Sequence, residues 1–129
     1  MSVWPLSTSE GQLVSVSIRV DPGELESLLE ALAQVSFPVN PQIYHDAAVV
    51  YRYADGHEET ESATLVEFPA YEARLEEVRK ALTSFGFEPS SMLVIAMLDE
   101  IHSSTYPEPA PPGARYVARY RVKHRTAVA

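Results

Sequence analysis

Four histidines, His45, His57, His102 and His124, together with a set of amides and tyrosines, are the side chains whose types suit proton transfer, metal binding or ligand recognition in this chain. The densest stretch is SFPVNPQIYHD at 36–46, where Asn40 and Gln42 offer amides and His45 an imidazole that takes up a proton near neutral pH. His45 and Asp46 are adjacent, so in a strand they point to opposite faces and do not chelate together. Tyr44 shares a face with Asp46, and His45 with Ile43 and Ala47. Tyr51 and Tyr53, with Tyr116 and Tyr120, fall at strand-like spacing; such a row lines a pocket, forms an interface or simply packs a sheet. His57 follows an Asp-Gly turn and reads as solvated.

The stretch LDEIH at 98–102 is the best local candidate for a metal. In a helix, Asp99 and His102 lie one turn apart and supply two ligands. In a strand, Asp99 goes one way and Glu100 and His102 the other. No third ligand accompanies them. No GxSxG, phosphate-binding glycine loop, HExxH or calcium loop is present, so no catalytic motif with a firm mechanism is legible and no cofactor is implied.

Composition narrows the field. The 129 residues make one domain's worth of chain, with 46% apolar and 22% charged residues. No cysteine is present, which excludes disulfides, thiol nucleophiles and cysteine-based zinc sites. The N-terminal residues have neither the basic nor the apolar segment of a signal peptide, and the uninterrupted apolar run at 92–98 is too short to span a bilayer. The expectation is therefore a cytoplasmic protein with no membrane contact. A net charge of −8 argues against nucleic acid, whose phosphates need a cationic surface. The charge is unevenly placed: all 18 acidic residues precede Gly113, whereas Arg115, Arg119, Arg121, Lys123 and Arg125 follow it. That split suits either a basic tail docked on an acidic body, its own or a partner's, or a solvated basic edge strand.

The elements that must position these side chains are readable from periodicity. In LVSVSIRV at 13–20, Val14, Val16, Ile18 and Val20 alternate with Ser15, Ser17 and Arg19, which predicts a half-buried strand. Asp21 is the expected cap of a helix that starts at Pro22 and carries Leu25, Leu28, Leu29, Leu32 and Val35 on one face. Pro38 and Pro41 push Phe37 and Asn40 to extended geometry, so the helix ends by Ser36. The whole 36–46 stretch then reads either as a ligand loop or as a proline-stiffened crossover that aims a strand.

A hairpin follows, with Asp55–Gly56 at its turn and TLVEF at 64–68 as a strand ended by Pro69. A second helix is expected over about 70–85, with Tyr71, Leu75, Val78, Leu82 and Phe85 as its apolar stripe. The run at 92–98 reads as a covered strand, or as a short buried helix continuing through His102. Residues 106–113 form a proline-rich connector and 115–124 a fifth strand with one basic face. The resulting division is an N-terminal extension at 1–12, an α+β domain at 13–105, and the connector with its strand at 106–129.

The order strand, helix, strand, strand, helix, strand over 13–98 resembles the ferredoxin-like βαββαβ plan, a two-layer sandwich to which the C-terminal strand is an addition. Among families on that plan, ACT-type regulatory domains are similar in length and in the acidic helix after the first strand. The resemblance implies a non-enzymatic module for small-ligand sensing or subunit association. Two other readings stay open. One is a small dimeric α+β-barrel-type enzyme that holds an organic substrate near Asn40, His45 and a tyrosine. The other is an interaction subunit whose basic C-terminal strand binds an acidic partner. Because a sheet with helices on one side leaves its other face bare, cover from a second subunit or from the C-terminal strand is expected, and with it a homodimer.

Overall fold

The computed structural model describes residues 7–8, 11–97 and 107–122. An antiparallel α+β fold is built on strands β1 (Ser7–Thr8), β2 (Gly11–Val20), β3 (Gln42–Arg52), β4 (Glu58–Tyr71), β5 (Met92–Ala96), β6 (Glu108–Pro109) and β7 (Ala118–Val122), with helices α1 (Leu25–Ala33) and α2 (Leu75–Ser84). The strand order is β5-β2-β4-β3-β7-β6, and β1 pairs with the first two residues of β2. Every neighbouring pair is antiparallel. The sheet thus has seven strands where five were expected, because the N-terminal residues and the proline-rich connector each contribute a short one.

The alternation in β2 does what its pattern requires. Val14, Val16, Ile18 and Val20 are buried against Val66, Phe68, Leu28, Leu32, Val78 and Leu82 from β4, α1 and α2. Both helices begin as 3-10 turns, Pro22–Glu24 and Glu72–Arg74, before widening into α-helix. The cap expected from the Asp21 side chain is not made; the Glu24 amide donates instead to the Asp21 carbonyl, at 2.8 Å. A proline at the first helical position already supplies the entry geometry, so a side-chain acceptor is dispensable there.

Strand β4 passes through Pro69 and ends only at Tyr71, so α2 starts five residues later than the pattern suggested. The pairing explains the tolerance. Pro69 lies opposite Ser15 of β2, but β3 reaches only as far as Glu67, so β4 is an edge on its other side and a missing amide there costs no ladder bond. The proline-rich connector likewise becomes structure: Glu108 and Pro109 pair with Arg119 and Ala118, making a β6–β7 hairpin with Gly113 at positive φ in its turn.

A bulge in β3 changes which residues share a face. Tyr44 pairs with Leu65 and Ala47 with Ala63, so three steps along β3 match two along β4. Ala47 therefore lies on Tyr44's face and not on Ile43's, and the grouping of Ile43, His45 and Ala47 is overturned. A strict period of two cannot anticipate the extra residue.

The face away from the helices carries Ser15, Ser17 and Arg19 of β2, Leu65 and Glu67 of β4, Val49 and Tyr51 of β3, and Arg119 and Arg121 of β7. The Arg121 side chain reaches Ser17, although β2 and β7 are three steps apart in the sheet. At about 4.8 Å per step that span exceeds an arginine in a flat sheet, so the sheet curls with this face on the inside. Of the two covers expected, the chain's own C-terminal strand supplies this one. Among the described residues the large apolar side chains left exposed are Ile43, Phe85 and Val117, on three separate elements, which offers little to drive the expected homodimer. No helix among the described residues is long and apolar enough to cross a membrane.

Candidate functional site

The inside of the curl is held by charge and hydrogen bonding. Arg121 is 8% exposed. Its Nη1 donates to the Ser17 carbonyl at 2.8 Å and to Ser17 Oγ at 3.1 Å, and its Nη2 donates to the Ser91 carbonyl at 3.1 Å. One side chain from β7 thus ties together β2 and the turn that enters β5. Ser17 supplies the hydroxyl acceptor, which a valine at that position would lack. Burial lowers the Arg121 pKa, Glu108 raises it, and the guanidiniums of Arg119 and Arg19 push in the same direction as burial. Glu108 answers two of these charges, with Oε2 at 3.5 Å from Arg119 Nε and 3.6 Å from Arg121 Nε. Neither contact is a hydrogen bond, and that oxygen is buried without a hydrogen-bond partner.

Beside this cluster lies a cavity of about 510 Å³. Arg19, Arg119 and Arg121 form one part of its wall, and Val20, Val49 and Phe87 an apolar part. Asp21, Glu24, Glu61 and Glu88 contribute exposed carboxylates to its rim. Arg19 Nη1 donates to the Tyr51 hydroxyl at 3.1 Å and lies 3.6 Å from Glu61 Oε1. His45, exposed in the β3 bulge, also lines the cavity.

The other candidates from the sequence are dispersed. Asn40 is exposed on the crossover, and Gln42 accepts a hydrogen bond from the Tyr44 hydroxyl at 2.9 Å; neither lines the cavity. The crossover is braced structurally: the amide and hydroxyl of Ser36 both donate to the Glu77 carboxylate, and Arg74 lies over the Phe37 ring at 5.8 Å. These bonds, the backbone one first, hold the Glu77 carboxyl below the usual range.

The tyrosines divide as well. Tyr51 packs edge-on against Tyr116 on the inner face, at 4.9 Å between ring centres, whereas Tyr120 points outward to Glu58. Tyr53 stacks on His57 at 4.4 Å in the hairpin and donates to Glu59 at 2.7 Å, which raises its pKa. His57 is bound to Asp55, and its bonds hold the Asp55 carboxyl low. No group of three metal-ligating side chains occurs among the described residues. Asp99 and His102, and also His124, lie outside the described residues, and β5 ends at Ala96, short of the expected Leu98.

Sequence reasoning missed Arg19, Arg119, Arg121 and Glu108 as a single cluster. The signals were there in part: Arg19 is the one long side chain among the polar alternates of β2, and 115–124 carries one basic face. No protein family matches this chain, and neither do curated proteins or solved structures.

Proposed function

We propose that this chain is a ferredoxin-like, non-enzymatic module that binds a small organic molecule in the cavity bounded by β2, the β3 bulge, β4 and β7. The fold part of the reading is supported by the inner strand order β5-β2-β4-β3 with antiparallel neighbours and a helix in each crossover, to which β7 and β6 are added beyond β3. The observation that carries the binding part is the cavity itself, about 510 Å³ with a buried guanidinium in its wall beside apolar side chains. Ligand sites are of this size and combine an apolar lining with a few convergent polar groups. Regulatory sensing of the kind the ACT-type resemblance implies is one use of such a site.

The test is a thermal-shift screen against small organic acids, amines, sugars and nucleosides. A compound at 100 times its dissociation constant adds about 2.7 kcal/mol to the folded state. A hit whose shift is lost in the cavity-filling variant Ala63→Leu supports the reading, and a complete absence of hits in all classes overturns it. A second reading, an enzyme, is favoured by His45 in the cavity wall, since an imidazole there can exchange protons with a bound molecule. Turnover of a screening hit by the native chain and not by His45→Gln would select it. The reading as a basic interaction tail draws less support, because Arg121 is buried and spent on Ser17 and Ser91 of the same chain and Arg119 faces the cavity with Glu108 beside it.

A further inference from the structure

Resting on the binding reading above, we infer that the ligand of this cavity is an organic monocarboxylate, with its carboxylate on the guanidinium of Arg119 and its apolar body against Phe87. Three observations carry this.

Arg119 is set up differently from its two neighbours. Arg121 commits both terminal nitrogens to Ser17 and Ser91, and Arg19 uses Nη1 on Tyr51 and Glu61. Arg119 is held from behind, by Glu108 at Nε and by the Tyr116 ring 6.0 Å from its guanidinium carbon. Among the described residues its two Nη groups make no hydrogen bond. Its side chain is 22% exposed and lines the cavity. A guanidinium with an ion pair at Nε and its Nη pair free presents a planar fork that matches a carboxylate.

The charge around the cavity is layered. The guanidiniums of Arg119 and Arg121 are the less exposed groups, while the carboxylates of Asp21, Glu24, Glu61 and Glu88 are exposed at the rim. A ligand that brings one negative charge past that rim is repelled once and recovers the loss on the fork. A phosphate monoester, with close to two charges, is repelled about twice as strongly by these carboxylates and attracted about twice as strongly by the guanidiniums, so its net charge alone gives it no advantage or penalty of sign. The layering therefore admits an anion at the inner guanidiniums, and the planar Nη pair of Arg119 matches the two oxygens of a single carboxylate.

Part of the lining is apolar. Val20, Val49 and Phe87 lie in the lining, and of the three Phe87 is the half-buried one that offers surface to a ligand. A ligand with only an acid group would leave that surface wet, so the organic body is part of the match.

The experiment is titration calorimetry of the full chain with benzoate, 3-phenylpropionate and hexanoate, each beside its methyl ester, and with inorganic phosphate. At least one acid should bind ten times or more tightly than its ester, and phosphate should bind more weakly than that acid. Arg119→Gln should remove the advantage of acid over ester. Arg119→Lys, which keeps the charge but not the fork, should retain only part of it; both variants are first checked for an unchanged melting curve and circular dichroism spectrum. Esters binding as tightly as acids, phosphate binding tightest, or an acid preference that survives Arg119→Gln would each overturn the inference while leaving a small-molecule cavity in place. If neither acids nor esters bind, and the broader screen is also silent, the binding reading itself falls.

Discussion

The two faces of the sheet are stabilised in opposite ways. On the helix face, Val14, Val16, Ile18, Val66 and Phe68 meet Leu28, Leu32, Val78 and Leu82, so the contacts are apolar and non-directional. On the inner face of the curl, Leu65 and Val49 are just as buried, but the closing contact is a single arginine that satisfies a hydroxyl and two carbonyls. An apolar face tolerates substitution as long as volume is kept. A polar clamp has only one solution, because each buried donor and acceptor must find its partner. The difference places stability on one side of the sheet and a shaped, charged cavity on the other.

The largest expected effect tests the apolar face. Phe68 is 2% exposed and central to the helix-side core. Phe68→Ala should cost about 3–5 kcal/mol, read as a lower denaturation midpoint with little change in slope. Arg119 and its fork lie across the sheet, so the surviving folded fraction should keep the native ligand preference. Loss of preference in step with stability would mean that the two faces are not separable.

Much of the helix face was legible. The alternation of 13–20 and the apolar stripes of both helices follow from periods of two and 3.6, which are local properties of the chain. The inner face was legible only in fragments. Arg121 and Ser17 are 104 residues apart, and neither carries a local mark of its partner. The one-residue bulge at 44–47 and the passage of β4 through Pro69 both depend on which neighbour is present, and neighbours are set by tertiary pairing. Among the described candidate site residues His45 alone lines the cavity, and it lies in the bulge.

A middle-sized effect tests the clamp. Arg121→Met keeps much of the side chain's bulk but leaves the carbonyls of Ser17 and Ser91 without their donor and Glu108 with one cation fewer. The loss should be about 1.5–3 kcal/mol, the range for hydrogen bonds to a charged group. Adding Glu108→Leu should recover part of it, since an apolar pair of similar volume often replaces a buried ion pair without penalty. Denaturation of the two single variants and the double variant gives the coupling directly. A strictly additive double variant would show that Glu108 belongs to Arg119 and not to the clamp.

The smallest effect sharpens the contrast by its dependence on pH. Glu77 joins α2 to the crossover at Ser36 through the amide and hydroxyl of that serine, and these bonds lower its pKa in the folded state. A carboxylate with a depressed folded pKa contributes stability that is present above its unfolded value, near 4.3, and is lost as pH falls through the folded value. Glu77→Gln should therefore be less stable than the native chain at neutral pH. The difference should hold constant down to about pH 5 and close below about pH 4, as the native carboxylate is protonated. Because the group is exposed, added salt should reduce the difference as well. Arg121 stays charged throughout that window, so the Arg121→Met penalty should run parallel to the native curve where the Glu77→Gln penalty converges on it. Melting curves of both variants between pH 3 and 7 distinguish the two behaviours, and convergence of the Arg121→Met curve at low pH would show that its stabilisation runs through Glu108 and not through the carbonyls of Ser17 and Ser91.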